Sequence, residues 1–195
     1  MVRIWDGLLG SEMENAIEKT FTDDRFDWHL SPSTIPDRDI EISDPNIFDD
    51  QPNFYHMFYS HAQGKVSPMF DLVDRILKQF CDKTGLGVTK LLRVRANLLL
   101  KLGAPEGHST LPHFDTYEPS KKDLDFMVLI YYVLDSDGPT HIFPEKVDPV
   151  KGRFVLFRNA LHAASFPMKN KLRIVINFNL KLLDPSGQLL DSLNQ

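Results

Sequence analysis

His113-Phe114-Asp115 places an imidazole and a carboxylate two residues apart. On a strand, that spacing puts both side chains on one face, within reach of a single metal ion. Alone the triplet is weak, because 7 histidines and 20 aspartates in 195 residues yield about 0.7 such triplets by chance. Two downstream features raise its weight. His162 closes the run Arg153-Phe-Val-Leu-Phe-Arg-Asn-Ala-Leu-His162, where an alternating strand leads to a third possible ligand. In Arg173-Ile-Val-Ile-Asn-Phe-Asn-Leu180, Ile174, Ile176, Phe178 and Leu180 point one way, and Arg173, Val175, Asn177 and Asn179 the other. That second face lies either in water, as half-solvated antiparallel strands commonly do, or inside a barrel, where the planar guanidinium of Arg173 would grip a carboxylate through two parallel bonds.

The elements that must position these groups are readable from periodicity. Ser11 and Glu14 have capping-box spacing, and Met13, Ala16, Ile17 and Phe21 follow at helical intervals. Ser67-Pro68 starts a second helix with Met69, Leu72, Val73, Ile76, Leu77 and Phe80 on one stripe, ending near Gly85. From about residue 90 the period becomes two: Leu92, Val94, Ala96, Leu98 and Leu100 share one face, and Arg93, Arg95 and Asn97 the other. Phe126 to Leu134 reads as a strand covered on both faces. Thr140–Phe143, Arg153–Phe157 and Leu172–Leu180 read as further short strands, and the aromatic Phe54–Tyr59 as another. Helices followed by many antiparallel strands predict a sandwich or barrel flanked by helices on one side.

Composition narrows the function classes. With 42% hydrophobic and 25% charged residues, the chain is expected to fold as one globular domain. No run of 18 apolar residues and no secretory signal is present, so neither a membrane partner nor export is expected. The single cysteine, Cys81, excludes an internal disulfide and a paired-cysteine zinc site, and fits a reducing cytoplasm; it borders an apolar stripe and reads as core. A net charge of −5 argues against a nucleic-acid partner. Acidity is local: residues 1–51 carry 13 acids and 4 bases, residues 52–195 carry 14 acids and 18 bases. The acidic, proline-punctuated stretch 35–52 reads as a long surface loop, either a solvated connection or a lid selecting a cationic partner.

Taken in order, His113, Asp115, His162 and Arg173 resemble the signature of the iron(II) and 2-oxoglutarate-dependent dioxygenases, in particular the prolyl 4-hydroxylase group. Supporting strings are Ile130-Tyr131-Tyr132, Gly138-Pro-Thr-His-Ile-Phe-Pro-Glu145, Gly152-Arg-Phe-Val-Leu-Phe157 and the closing Arg-Ile-Val-Ile-Asn-Phe. The likeness is strongest over residues 91–180. Upstream, Phe54–Tyr59 and the helix from Ser67 look similar to small members of that group, including viral ones. The resemblance implies a mainly β fold with flanking α-helices: a double-stranded β-helix (jelly-roll, cupin-like) over 90–182, with helices packed on its major sheet. Residues 1–89 would supply helical support, the acidic loop and the first strands of one domain spanning 1–195.

The same resemblance implies Fe(II) held by His113, Asp115 and His162, with 2-oxoglutarate as cosubstrate and ascorbate as reductant. Two histidines and a carboxylate on one octahedral face leave three positions open, which suits that chemistry. Cosubstrate contacts would come from Arg173, Tyr132 and Asn177, with Lys171 as the alternative base. Arg95, Asn97 and His108 would face the substrate. The product would be a hydroxylated C–H position, with succinate and CO2 released. A prolyl residue in a peptide or protein, favoured if basic by the acidic loop, is the implied substrate; a free amino acid or other small molecule is the alternative. Location would be the cytoplasm, or the host cytoplasm for a viral protein. His29, His56 and His61 read as structural, and His141 as more structural than cavity-facing. Two other classes remain open on the residues themselves: a non-catalytic binding module on the same barrel, and a zinc hydrolase using the same three ligands.

Overall fold

The computed structural model describes residues 2–33, 51–101, 103, 108–116 and 125–190. The amino-terminal part comprises β1 (Val2–Trp5), α1 (Ser11–Phe21), β2 (His29–Ser31), β3 (Asn53–Ser60), β4 (Gly64–Lys65) and α2 (Phe70–Thr84). There follow β5 (Gly87–Leu100), β6 (Met127–Tyr132), β7 (Thr140–Ile142), β8 (Glu145–Val147), β9 (Phe154–Arg158), β10 (His162–Ala164) and β11 (Leu172–Leu183). The acidic stretch 35–52 lies outside the described residues except for Gln51 and Pro52. Among the described residues, no helix is long and apolar enough to cross a membrane.

Two antiparallel sheets face each other, as in a jelly roll. The larger has the order β1-β9-β6-β11-β5-β3-β2, with β4 paired to β3; the smaller has the order β10-β7-β8. Residues 109–113 run beside β10 through bridges between Ser109 and Ser165 and between His113 and His162, which extends the smaller sheet.

Alternation sorts the side chains of the large sheet into two cores. On its outer face Val94, Ala96 and Leu98 of β5 and Ile174, Ile176, Phe178 and Leu180 of β11 meet Ile17 and Phe21 of α1 and Val73, Ile76 and Phe80 of α2. Between the sheets, Phe126, Val128, Ile130, Tyr132, Ile142, Val155, Phe157 and Val175 form a second cluster. All six residues of β6 are buried because alternate members enter alternate cores: Leu129 and Tyr131 under the helices, Val128, Ile130 and Tyr132 between the sheets.

Several local expectations are corrected. The capping box is not formed: Ser11 is the first helical residue, preceded by Gly10 at φ 78°, and the Glu14 N–H bonds the Gly10 carbonyl. The second helix is regular only from Phe70, although the Ser67 hydroxyl does accept the Met69 N–H at 3.1 Å. It stops where expected, at left-handed Gly85. Leu92 leaves the outer stripe, because β5 pairs Arg93 with Asn179 but Leu91 with Leu180. The extra residue reverses the alternation and sends Leu92 into the inner cluster. The short strands β1, β2, β4, β8 and β10 had no sequence signal of their own.

Candidate metal centre

β10 and the segment beside it bring the two histidines together by backbone pairing. The His113 N–H donates to the His162 carbonyl at 2.9 Å, and the His162 N–H to the His113 carbonyl at 3.0 Å. Directly opposed residues share a face, so the imidazoles sit side by side with centroids 4.5 Å apart. Two residues on, Asp115 returns to the same face. One potential ligand atom from each of His113, Asp115 and His162 lies within 4.8 Å of the others.

Hydrogen bonding then settles which imidazole nitrogen is free. His113 Nδ1 lies 2.9 Å from the Leu111 carbonyl and His162 Nδ1 2.8 Å from the Ala160 carbonyl. A carbonyl only accepts, so both Nδ1 atoms carry the proton and both Nε2 atoms keep a lone pair for a metal. Burial, and next the neighbouring His162, push the His113 imidazole down to about 4, so it is neutral at physiological pH.

Asp115 is held from three sides. Arg93 Nη2 donates to its Oδ1 at 2.7 Å, and Asn179, with its amide oriented to satisfy both partners, donates to Oδ2 at 3.1 Å and accepts from Arg93 at 3.3 Å. Asn159 clamps the Asp115 backbone, accepting its N–H at 3.0 Å and donating to its carbonyl at 3.0 Å. Burial raises the carboxyl, but Arg93 and the two imidazoles outweigh it and hold it at about 2, fully ionised. From sequence, Arg93 was placed on the polar face of its strand with Arg95 and Asn97, and Asn179 on the face of Arg173 and Asn177, but neither was assigned to Asp115, and Asn159 was not picked out.

Elsewhere on the inward face, Arg173 is 3% exposed. Its Nε donates to the Gly138 carbonyl at 2.7 Å and its Nη2 to Thr140 Oγ1 at 2.6 Å; Tyr132 shares that threonine hydroxyl at 2.5 Å. Only glycine permits this approach at 138, since a side chain there would collide with the Ser165 carbonyl. Burial lowers the guanidinium's pKa, yet arginine stays charged in proteins, and among the described residues no carboxylate neutralises it. A buried cation with that donor fork is complementary to a carboxylate guest.

The remaining candidates divide. Tyr132 joins Arg173 through Thr140. Asn177 is 8% exposed and its Oδ1 is buried without a partner. Arg95 and Asn97 lie on the Arg93 face of β5, opposite Asn177 and Val175. His108, whose carbonyl accepts the Phe166 N–H, has a buried, unpartnered Nδ1, and it is not among the converging ligands. Lys171 is exposed and lies just before β11, so of these two bases only Arg173 is buried. His141 bonds Ser165 at 2.8 Å and alternates away from inward-facing Thr140 and Ile142. His56 is satisfied by the Asp27 carbonyl and the Ser67 hydroxyl, a structural role. Burial raises the Cys81 thiol to about 11, as suits a packing residue.

The fold is shared with solved structures of 2OG-Fe(II) oxygenases. No protein-family model and no curated protein matches the chain, but solved structures do. A viral collagen prolyl hydroxylase from Paramecium Bursaria Chlorella virus-1, in its 2OG complex, aligns at TM-score 0.52 and 15% identity over 92% of this chain and 94% of its own. A 2OG-Fe(II) oxygenase family oxidoreductase from Burkholderia pseudomallei aligns at 0.59 and 11% identity, over 92% and 84%. The non-heme alpha ketoglutarate dependent epimerase SnoN from nogalamycin biosynthesis aligns at 0.57 and 11%, over 94% and 77%. At these identities the shared property is the fold, which the expected double-stranded β-helix anticipated.

Proposed function

We propose that the protein is an Fe(II)- and 2-oxoglutarate-dependent dioxygenase acting as one domain across residues 1–195. The observation that carries this reading is the combination, on one inward face, of a His113–Asp115–His162 cluster and a buried Arg173 that no described carboxylate neutralises. A metal ion alone would account for the first and not the second; a metal ion together with a dicarboxylate cosubstrate accounts for both.

His113 and His162 would offer Nε2 and Asp115 a carboxylate oxygen to Fe(II), a donor set of two neutral nitrogens and one anion that suits that ion. Arg93, Asn179 and Asn159 fix the carboxylate and its backbone, the outer support that ligands of this kind require. Arg173, with Thr140 and Tyr132 beside it, would take the distal carboxylate of 2-oxoglutarate, and the Asn177 amide N–H would donate to the same molecule, leaving its Oδ1 free. Tyr132 and Val175 belong to the buried apolar cluster that includes Val128 and Ile130, and in such low-dielectric surroundings charge contacts are stronger than in water. When bound, the iron and 2-oxoglutarate supply the oxidising chemistry that side chains lack, with succinate and CO2 as coproducts and ascorbate as external reductant.

For the primary substrate we propose an unactivated C–H position in a prolyl residue of a peptide or protein, a reading supported by the viral prolyl hydroxylase among the fold relatives. A free amino acid is the second reading, favoured by the half-buried Arg95, two residues along β5 from the Asp115-bonded Arg93. SnoN is an epimerase on this fold, so the outcome depends on how the substrate sits and not on the barrel. The test is succinate formation from 2-oxoglutarate with Fe(II), ascorbate and oxygen, followed by a screen of peptides and amino acids for a mass gain of about 16 from one inserted oxygen. Iron-dependent succinate release that Asp115→Ala abolishes is expected; no release, coupled or uncoupled, together with no iron-dependent binding of 2-oxoglutarate, would favour a non-catalytic binding module.

A further inference from the structure

Besides Arg173 and the Asp115-paired Arg93, the inward face holds a third cation, Arg95, whose partner the dioxygenase reading does not specify. Arg95 lies two residues from Arg93 on the same face of β5, about 7 Å along the strand, and is directly opposite Asn177 on β11. Its guanidinium stacks over the Tyr55 ring of β3, with Cζ 4.3 Å from the centroid. Its Nε is buried and unpartnered, and so is Oδ1 of Asn177 across the ladder. Neighbouring arginines repel, and Asp115 compensates Arg93 through a direct bond at 2.7 Å but makes none to Arg95. Burial, and then Arg93, bring the Arg95 guanidinium down to about 10, still protonated at neutral pH.

Buried donors and acceptors are almost always paired, and leaving one unpaired is costly. A donor and an acceptor left unpaired on opposed positions, beside a charge stacked on an aromatic ring, form a recognition surface. A 2-oxoglutarate dianion would not need it, since on the dioxygenase reading Arg173 and the iron would take its two carboxylates. We infer that Arg95, backed by Tyr55, binds a carboxylate carried by the primary substrate, and that Asn177 accepts a hydrogen bond from an N–H next to it. This rests on the dioxygenase reading and sets the substrate's charge: anionic at the recognised end, in contrast to the basic peptide suggested by the acidic stretch 35–52. An α-carboxylate of a free amino acid and an acidic side chain in a peptide offer the same chemistry.

The test uses the full chain loaded anaerobically with Fe(II) and 2-oxoglutarate. Matched acid and amide probes are titrated calorimetrically: proline against prolinamide, and end-capped Ala-Pro-Glu-Ala against Ala-Pro-Gln-Ala. At least one acid should bind about tenfold more tightly than its amide. Arg95→Gln should erase that preference, Arg95→Lys should keep part of it, and 2-oxoglutarate affinity should change less than about threefold in both. A preference confined to proline assigns the free α-carboxylate; one confined to the peptides assigns an acidic side chain. Equal binding of acids and amides, no binding of any acid, or a 2-oxoglutarate affinity that falls more than about tenfold in Arg95→Gln would each overturn the inference. The weak visible band of the iron–2-oxoglutarate complex separates the two claims. If it never develops, the dioxygenase reading fails; if it develops without discrimination between probes, only the role of Arg95 fails.

Discussion

The two faces of β11 are buried to the same degree for opposite reasons. On the outer face Ile174, Ile176, Phe178 and Leu180 are at most 1% exposed, and every atom they bury is apolar. On the inner face Arg173 and Asn179 are 3% and 0% exposed, and burial there removes a full charge and an amide from water. The first face returns stability for its burial. The second costs desolvation that internal hydrogen bonds only partly offset, and among the described residues no carboxylate compensates the Arg173 charge. Depth in the fold therefore does not separate scaffold from site; the chemistry of what is buried does.

Breaking the inner face should cost binding and leave folding intact. The largest effect expected is for Asp115→Ala: no iron retained and no turnover, with circular dichroism unchanged, because the variant removes the anion while Asn159 can still hold the backbone. Preserved activity would refute the ligand assignment. The outer face should show the reverse. Phe178→Ala leaves a cavity under the helices and should lower the unfolding free energy by roughly 3–5 kcal/mol in urea, with 2-oxoglutarate affinity of the folded fraction unaltered.

Next in size is Arg173→Leu. Losing the buried charge-assisted contact should raise the 2-oxoglutarate requirement well over tenfold, or roughly 2–5 kcal/mol. The ligand-free protein should be no less stable than the parent, since an uncompensated buried charge is exchanged for an apolar side chain. A large loss of ligand-free stability would place Arg173 with the scaffold. The smallest effect expected is for Asn159→Ala, which removes both clamps on the Asp115 backbone without touching a ligand atom. Iron affinity should fall about 10–100-fold while the melting temperature moves by only a few degrees. An unchanged iron affinity would show that Arg93 and Asn179 suffice.

Much of this was legible in the residues, where a single period governed. The unbroken alternation of Arg173 to Leu180 set both faces of β11, and the His-x-Asp spacing set two potential ligands on one side. Both helices were readable from their stripes. What alternation leaves undecided is whether a polar face meets water or another sheet, and although β7 was readable, its partners β8 and β10, three residues each, are too short to announce the sheet that covers it. Contacts between strands distant in the chain were equally hidden: Arg93 and Asn179 reach Asp115 only because β5 and β11 pair in one particular register. The bulge that turns Leu92 inward arises from that pairing as well, and local composition carries no trace of it. Ser11 shows the converse failure, a spacing that fits a cap where Gly10 has taken the position.

The central claim, that one inward face holds both a ferrous ion and a dicarboxylate, is tested most directly by anaerobic titration of the protein with Fe(II) and 2-oxoglutarate, followed in the visible region. One iron per chain is predicted, with a weak charge-transfer band that needs both additions, is absent in Asp115→Ala and requires far more 2-oxoglutarate in Arg173→Leu. Iron that binds with no 2-oxoglutarate-dependent band, or a site that holds zinc and ignores 2-oxoglutarate, would contradict it.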